Sequence, residues 1–251
     1  MQISERLKTV SSFVTEGMKV ADIGTDHAYV PIYLIQNRKI PSALAMDVKE
    51  GPLKRASAHI VQQGLSKQIE TRLSNGFSAF RKGEAQSVVI AGLGGELMIQ
   101  ILRSGKEVIS EVSEFILSPH SEIHKVRAFL MEQGFSIVKE TMLCEEGIYY
   151  TIIKAVYGIG DYRTEPELWY GKRMLEEQHP VLYDYLQKEY RTYQQIIEKF
   201  SDRQTELVKE RKKQMEEECV RIEEALTYYD KKGIEIRKEW KKDGADVPCF
   251  H

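Results

Sequence analysis

Cysteine is scarce in this sequence and poorly spaced for chemistry. The three residues, Cys144, Cys219 and Cys249, form no Cys-x-x-Cys pair, and their odd number cannot close a complete set of disulfides. Reduced thiols, a cytoplasmic setting and no metal centre are expected. The histidines also lack metal-ligand spacing. No apolar run approaches the roughly 20 residues of a membrane span. Residues 1–6 are polar and contain no secretion-signal core. An excess of one charge is missing as well: 36 Lys and Arg face 38 Asp and Glu. A chain so balanced offers no global field for a nucleic acid, so any such contact must use a local basic face. Finally, a full G-x-G-x-x-G is absent, which argues against a dinucleotide with its pyrophosphate.

What is present divides near Gly158-Ile159-Gly160. Before that point, short apolar runs alternate with helical patterns. Seven strands are expected, at 18–24, 42–47, 69–73, 87–91, 115–117, 135–142 and 149–156. The fourth is almost continuously apolar, as a buried parallel strand should be. Helical spacing fills 29–37, 51–64, 96–104 and 121–134. Alternation of this kind builds a parallel sheet covered on both faces. The last two strands are joined by Cys144-Glu145-Glu146-Gly147, too short for a parallel crossover, so they form an antiparallel hairpin. After Gly160, Tyr183, Leu186, Tyr190, Tyr193, Ile197 and Phe200 recur at helical steps. Leu207, Met215, Val220, Ile222, Leu226 and Tyr229 continue beyond a polar break at Ser201-Asp202-Arg203. Two amphipathic helices with a short turn form an antiparallel hairpin, read here as a coiled-coil arm. The expected organisation is an α/β domain over 1–160, a helical hairpin over 161–232 and a loosely ordered tail over 233–251.

Five strand ends carry candidate chemistry. Gly24, in Asp22-Ile23-Gly24-Thr25-Asp26-His27, follows the first strand and precedes a helix; a glycine there admits close approach of a ligand. Asp47, followed by Val48, closes the second strand. An acidic residue at that spacing from Gly24 accepts hydrogen bonds from both ribose hydroxyls; its rival role is capping the next helix. Asn75-Gly76 ends the third strand and can present polar groups to an adenine edge, or simply make a tight turn. Ala91-Gly92-Leu93-Gly94-Gly95 follows the fourth strand and leaves room for a ligand against the backbone. Ser118-Pro119-His120 closes the fifth strand on the same edge of the sheet.

A doubly wound sheet ending in an antiparallel hairpin resembles the S-adenosylmethionine-dependent methyltransferases, with their Rossmann-like seven-stranded sheet. In many of these the turn after the fourth strand carries an acidic or Asn-Pro-Pro motif that contacts an amine. Here it carries neither, which favours methylation of a ring nitrogen. The run Asp-Ile-Gly-Thr-Asp-His-Ala-Tyr-Val-Pro at 22–31, with Asn75-Gly76 and Ala91 to Gly95, resembles more narrowly the bacterial tRNA (adenine-N1)-methyltransferases that modify adenine 22. The likeness extends to the helical hairpin, which in that family helps engage tRNA. One departure is Ser118-Pro119-His120, where the family often has a Gln-Pro-Asn-like motif. The resemblance implies S-adenosyl-L-methionine as cofactor, held by Asp22, Gly24, Asp47, Val48, Asn75, Gly76, Ala91, Gly92, Leu93 and Gly94. It implies tRNA as partner and Asp26, His27 and Tyr29 as the catalytic group. Asp26 would stabilise the cationic product ring, unless it caps the helix beginning near Ala28. His27 and Tyr29 would orient the base or stack on it, with Tyr29 the favoured stacking residue. Candidates for phosphate contact are Lys8, Arg38, Lys39, Lys54, Arg55, Arg81 and Lys82, and Lys172, Arg173, Lys188 and Arg191 on the first long helix. A monomer is expected.

Overall fold

The computed structural model describes residues 2–200 and 205–229. The polar break at 201–203 and the tail over 233–251 lie outside the described residues. The described chain forms two units. The first runs to Glu140 and resumes over Tyr150–Asp161; the second takes Thr141–Tyr149 and the residues from Tyr162 onward.

In chain order the first unit begins with α1 (Glu5–Phe13), β1 (Val20–Ile23), α2 (Tyr29–Gln36), β2 (Ala43–Asp47), α3 (Glu50–Gln62) and β3 (Ile69–Leu73). It continues with β4 (Ser87–Leu93), α4 (Gly95–Ser104), α5 (Lys106–Ile109), β5 (Glu114–Pro119) and α6 (Ile123–Glu132). The hairpin β6 (Phe135–Glu145) and β7 (Ile148–Tyr157) completes one seven-stranded sheet, of order β3-β2-β1-β4-β5-β7-β6. The first five strands pair in parallel, and β7 lies antiparallel to β5. This is the Rossmann-like architecture with a closing hairpin that the strand pattern predicts.

Position in the sheet follows from composition. The central strands β1 and β5 are buried along their whole length, whereas the edge strand β3 keeps Glu70 and Leu73 exposed. In α3, Leu53, Ala56 and Ile60 recur at three- and four-residue steps and bury one face. Each fully buried aliphatic side chain contributes about 1.5–3 kcal/mol. The helix α1 is absent from the sequence expectations. Ser4 caps it, its hydroxyl accepting the Leu7 N–H at 3.3 Å. Strand order and parallel pairing bring the carboxyl ends of β3, β2, β1 and β4 side by side, so the four candidate segments stand along one edge.

The second unit contains a π-helical turn over Glu167–Gly171, then α7 (Lys172–Glu176), α8 (Pro180–Ile197) and α9 (Glu206–Leu226). The last two pack on each other. Its core joins Met142, Tyr170, Met174, Leu175, Leu182, Leu186, Ile222, Ala225 and Tyr229. The apolar stripe of α9 differs from the expected one. Met215, Cys219, Ile222 and Ala225 are buried, while Leu207 and Val220 face solvent. Cys219 is a free thiol. Among the described residues no helix is long and apolar enough to cross a membrane, and no group of side chains is arranged to hold a metal.

Candidate functional site

The site grows from the turn after β1. Asp22 is buried within the strand. Burial raises its pKa to about 6; the Thr25 hydroxyl opposes this without reaching full hydrogen-bond geometry, and the Asp47 charge adds to the rise. Gly24 and Thr25 both donate their N–H groups to Met46 O at 2.9 Å, which ties the turn to β2. Gly24 has φ +82°. A Cβ there would meet Leu93 at an ordinary 3.5 Å, so the backbone angle, not space, demands glycine.

His27 and Ala28 follow, both left-handed at φ 60° and 55°. Two consecutive non-glycine residues in that region cost of order 1–3 kcal/mol each and persist only when the surroundings impose them. Here His59 donates from Nδ1 to His27 O at 2.8 Å, and Ala28 O accepts the Ile32 N–H at 3.0 Å. The His27 ring lies parallel to Tyr29, and His59 meets Tyr29 edge-on. Ala28 serves as N-cap of α2 with no side-chain bond, so Asp26 does not cap this helix. Its Oδ1 accepts instead from Arg55 Nε at 3.2 Å and Nη2 at 2.9 Å, with His27 Nε2 at 3.6 Å. A groove of about 440 Å³ opens here, lined by His27, Tyr29, Arg55, Ala58, His59 and Gln62.

At the end of β2, Asp47 Oδ1 accepts the Lys49 N–H at 2.8 Å. The N-cap of α3 is Lys49, so Asp47 closes the turn before the helix and does not cap it directly. Val48 is 57% exposed, an apolar surface beside an acid. After β3, Ser74 Oγ donates to Gly76 O at 2.8 Å and Asn75 N donates to Ser78 Oγ at 3.1 Å, leaving the Asn75 side chain exposed. The sequence therefore placed Asp22, Gly24, Asp47, Val48 and Asn75-Gly76 on one edge, and the fold brings them together.

On β4 the register against β5 shifts between Ala91 and Leu93. Gly92, at φ +85°, sits in that irregularity. A Cβ on it would lie 3.6 Å from Arg6 Nη1 and 3.9 Å from the His120 ring. Gly94 is the N-cap of α4. His120 donates its N–H to Leu93 O at 2.9 Å, and its ring lies 5.9 Å from that of Tyr150. Burial, with a smaller push from Arg6, lowers the His120 pKa.

Sequence reasoning missed Arg6, His59 and Tyr150. The first lies on the unpredicted α1, whose only signal was the Ser4 cap. Of the basic residues singled out above, Arg55 joins the site. Lys39 donates to Ser11 O and Ser12 O, and Lys8 and Lys54 pair with Glu5 and Glu50 on their own helices.

Residues 3–153 match the family model described as a methyltransferase domain. The tRNA (adenine(22)-N(1))-methyltransferase of Bacillus subtilis strain 168 is 34% identical over 161 residues, 64% of this chain and 68% of that protein. Among solved structures, Sp1610 of Streptococcus pneumoniae in complex with S-adenosyl-L-methionine is 32% identical with a TM-score of 0.81, covering 90% of this chain and 100% of that one. The M. capricolum TrmK in complex with S-adenosyl-homocysteine is 26% identical with a TM-score of 0.80, covering 92% and 100%.

Proposed function

The chain belongs to the tRNA (adenine(22)-N(1))-methyltransferase family, and from that premise we propose how its own residues methylate N1 of adenine 22 in tRNA. The observation that carries the reading is the left-handed pair His27–Ala28, after which His27 and Tyr29 line a groove together with Arg55, the partner of Asp26.

The residues at the sheet edge fit S-adenosylmethionine. Gly24 offers bare backbone, Asp47 keeps one carboxylate oxygen outside its turn, and Val48 is exposed apolar surface. In this reading Asp47 holds the ribose hydroxyls, Val48 with Asn75-Gly76 holds the adenine, and Ala91, Gly92, Leu93 and Gly94 line the remaining edge. Asp22 faces the cationic part of the cofactor, where a positive charge favours its ionised form. When bound, S-adenosylmethionine supplies the electrophilic methyl group.

The protein's task toward the base is geometric. Adenine N1 is mostly unprotonated at neutral pH, so its lone pair needs no strong base. Holding it in line with the methyl group can contribute about 7–11 kcal/mol. The product ring is cationic, and its exocyclic amine becomes a better donor as the charge develops. Arg55 directs both of its bonds to Asp26 Oδ1, which leaves Oδ2 to serve the base in this reading. That oxygen accepts from the amine more strongly in the transition state than in the ground state. In tRNA the N1 edge is a pairing edge, so the base is extruded to reach the groove. The second unit is assigned to tRNA engagement, with the protein acting as a cytoplasmic monomer.

The test is incubation of the full chain with methyl-labelled S-adenosylmethionine and unmodified bacterial tRNA, followed by nucleoside analysis. Label in 1-methyladenosine is expected, and none with a tRNA carrying guanine at position 22. Label in another nucleoside, or in no RNA, would sink the reading.

A further inference from the structure

The backbone at His27 is strained and has little to hold it. Thr25 donates its N–H to Met46 O at 2.9 Å, and Ala28 O accepts the Ile32 N–H at 3.0 Å. Between those two atoms the backbone forms no backbone–backbone hydrogen bond among the described residues. Yet His27 and Ala28 are both left-handed, at φ 60° and 55°, a conformation that relaxes unless its surroundings oppose it. Among the described residues one side chain bonds to the backbone of this stretch. It is His59, whose Nδ1 stands 2.8 Å from His27 O. A carbonyl oxygen only accepts, so Nδ1 carries the proton.

His59 is half-buried on α3, one turn after Arg55, and the two side chains share a helix face. Arg55 takes the Asp26 carboxylate, His59 takes the His27 carbonyl, and the His59 ring meets Tyr29 edge-on with centroids 5.4 Å apart. One face of α3 therefore touches Asp26, His27 and Tyr29 together. Proton transfer gives His59 no task, because the adenine N1 lone pair is already free at neutral pH. We propose that His59 is a positioning residue, whose Nδ1–H bond to His27 O holds the left-handed turn and so sets where the Asp26 carboxylate and the His27 and Tyr29 rings stand for the incoming base. The assignment rests on the reading of those three residues as the group that meets the base. A loop free to relax still binds tRNA through its other contacts, but presents N1 out of line with the methyl group, so the loss falls on turnover. The cofactor turn is secured separately, by the bonds of Gly24 and Thr25 to Met46 O.

Two substitutions in the full chain separate the hydrogen bond from the ring. The amide nitrogen of asparagine is attached to Cγ, as Nδ1 is, so His59→Asn keeps a donor near the carbonyl and loses the ring. His59→Phe keeps a ring edge toward Tyr29 and loses the donor. Steady-state methylation of tRNA and calorimetric titration with S-adenosylhomocysteine read the outcome. His59→Phe should lower kcat by roughly 10- to 100-fold, with KM for tRNA and S-adenosylhomocysteine affinity within about twofold of wild type. His59→Asn should recover kcat to within about fivefold. His59→Gln, whose amide stands one bond further out, should fall well short of His59→Asn, and it decides the matter if His59→Phe does not fold. Wild-type kcat in His59→Phe, or His59→Asn as slow as His59→Phe, would overturn the proposal. Loss of S-adenosylhomocysteine affinity in step with kcat would make His59 a general structural residue and overturn it too. So would a pH–rate limb present in wild type and absent from His59→Asn, which would make the imidazole a proton-transfer group. Full turnover by both Asp26→Ala and His27→Ala would instead overturn the reading of the loop beneath it.

Discussion

The imidazole of His27 lies on the ring of Tyr29, with centroids 5.2 Å apart and planes 17° from parallel. One face of Tyr29 is thereby covered, and His59 approaches the same ring at 78°. In the proposed mechanism an incoming base meets the outward face of His27, with Tyr29 as its support. Stacking of a base on such a ring is worth about 1–3 kcal/mol. His27→Ala should lower kcat/KM for tRNA by about 10- to 100-fold while S-adenosylhomocysteine affinity stays unchanged. Tyr29→Phe, which keeps the supporting ring, should stay within a few-fold of wild type. Steady-state kinetics on both variants checks this order, and a larger loss in Tyr29→Phe than in His27→Ala would reverse the roles.

Arg55 and Asp26 should fail differently. Asp26→Ala removes the carboxylate that the proposed mechanism sets against the developing charge, and a drop in kcat of at least about tenfold with retained cofactor affinity is expected. Arg55→Ala leaves the carboxylate but frees its orientation, so a smaller loss is expected. Single-turnover methylation measures both. Full turnover by Asp26→Ala would remove Asp26 from the mechanism.

Asp22 makes a pH dependence that can be isolated by substitution. Its folded pKa of about 6 lies above the ordinary 3.8. The folded state therefore holds this proton more tightly. The contribution is fully present below about pH 4 and is lost as pH rises through 6, amounting to at most about 3 kcal/mol. Thermal melts from pH 4 to 8 should show this slope in wild type and not in Asp22→Asn. A cationic ligand favours the ionised carboxylate, so S-adenosylmethionine affinity should weaken as pH falls below 6. A calorimetric pH series that is flat across that range would contradict the placement of Asp22.

Arg127 on α6 and Glu140 on β6 form an ion pair of 2.7 Å whose side chains are 1% and 0% exposed. Removing one partner strands a buried charge and should cost about 3–5 kcal/mol. Arg127→Met or Glu140→Gln should lower the urea midpoint accordingly. The double replacement by apolar residues should recover most of the loss. Two single variants as stable as wild type would show that water reaches the pair.

The sheet was legible because its strands are short, apolar and separated by helices whose apolar residues recur at helical spacing. The hairpin was legible from the short connection after Cys144. The segment Glu5–Phe13 was not, because ERLKTVSSF is largely polar and its buried residues are few: Val10, Ser11 and Phe13. Arg6 went unseen with it. In the helical unit, aromatic and aliphatic spacing located α8 but misjudged the buried face of α9, where small Cys219 and Ala225 pack inward and Val220 does not. At the site, Asp22, Gly24 and Asp47 could be read from strand ends and spacing. Contacts between distant segments, such as Arg55 to Asp26 and His59 to His27 O, leave no periodic trace in the sequence.

The hairpin formed by β6 and β7 has a practical consequence for exchanging parts between relatives. Met142 sits in the helical core, Tyr149 meets Tyr185 edge-on at 5.1 Å, and Thr141 Oγ1 lies 2.9 Å from His179 Nε2. The helical unit is thus discontinuous in the chain, with Thr141–Tyr149 belonging to it. A chimera spliced at a single junction near residue 161 would combine a hairpin tip from one parent with helices from another. Transplanting the arm intact requires three junctions, at 140/141, 149/150 and 161/162, so that the tip travels with its own cover.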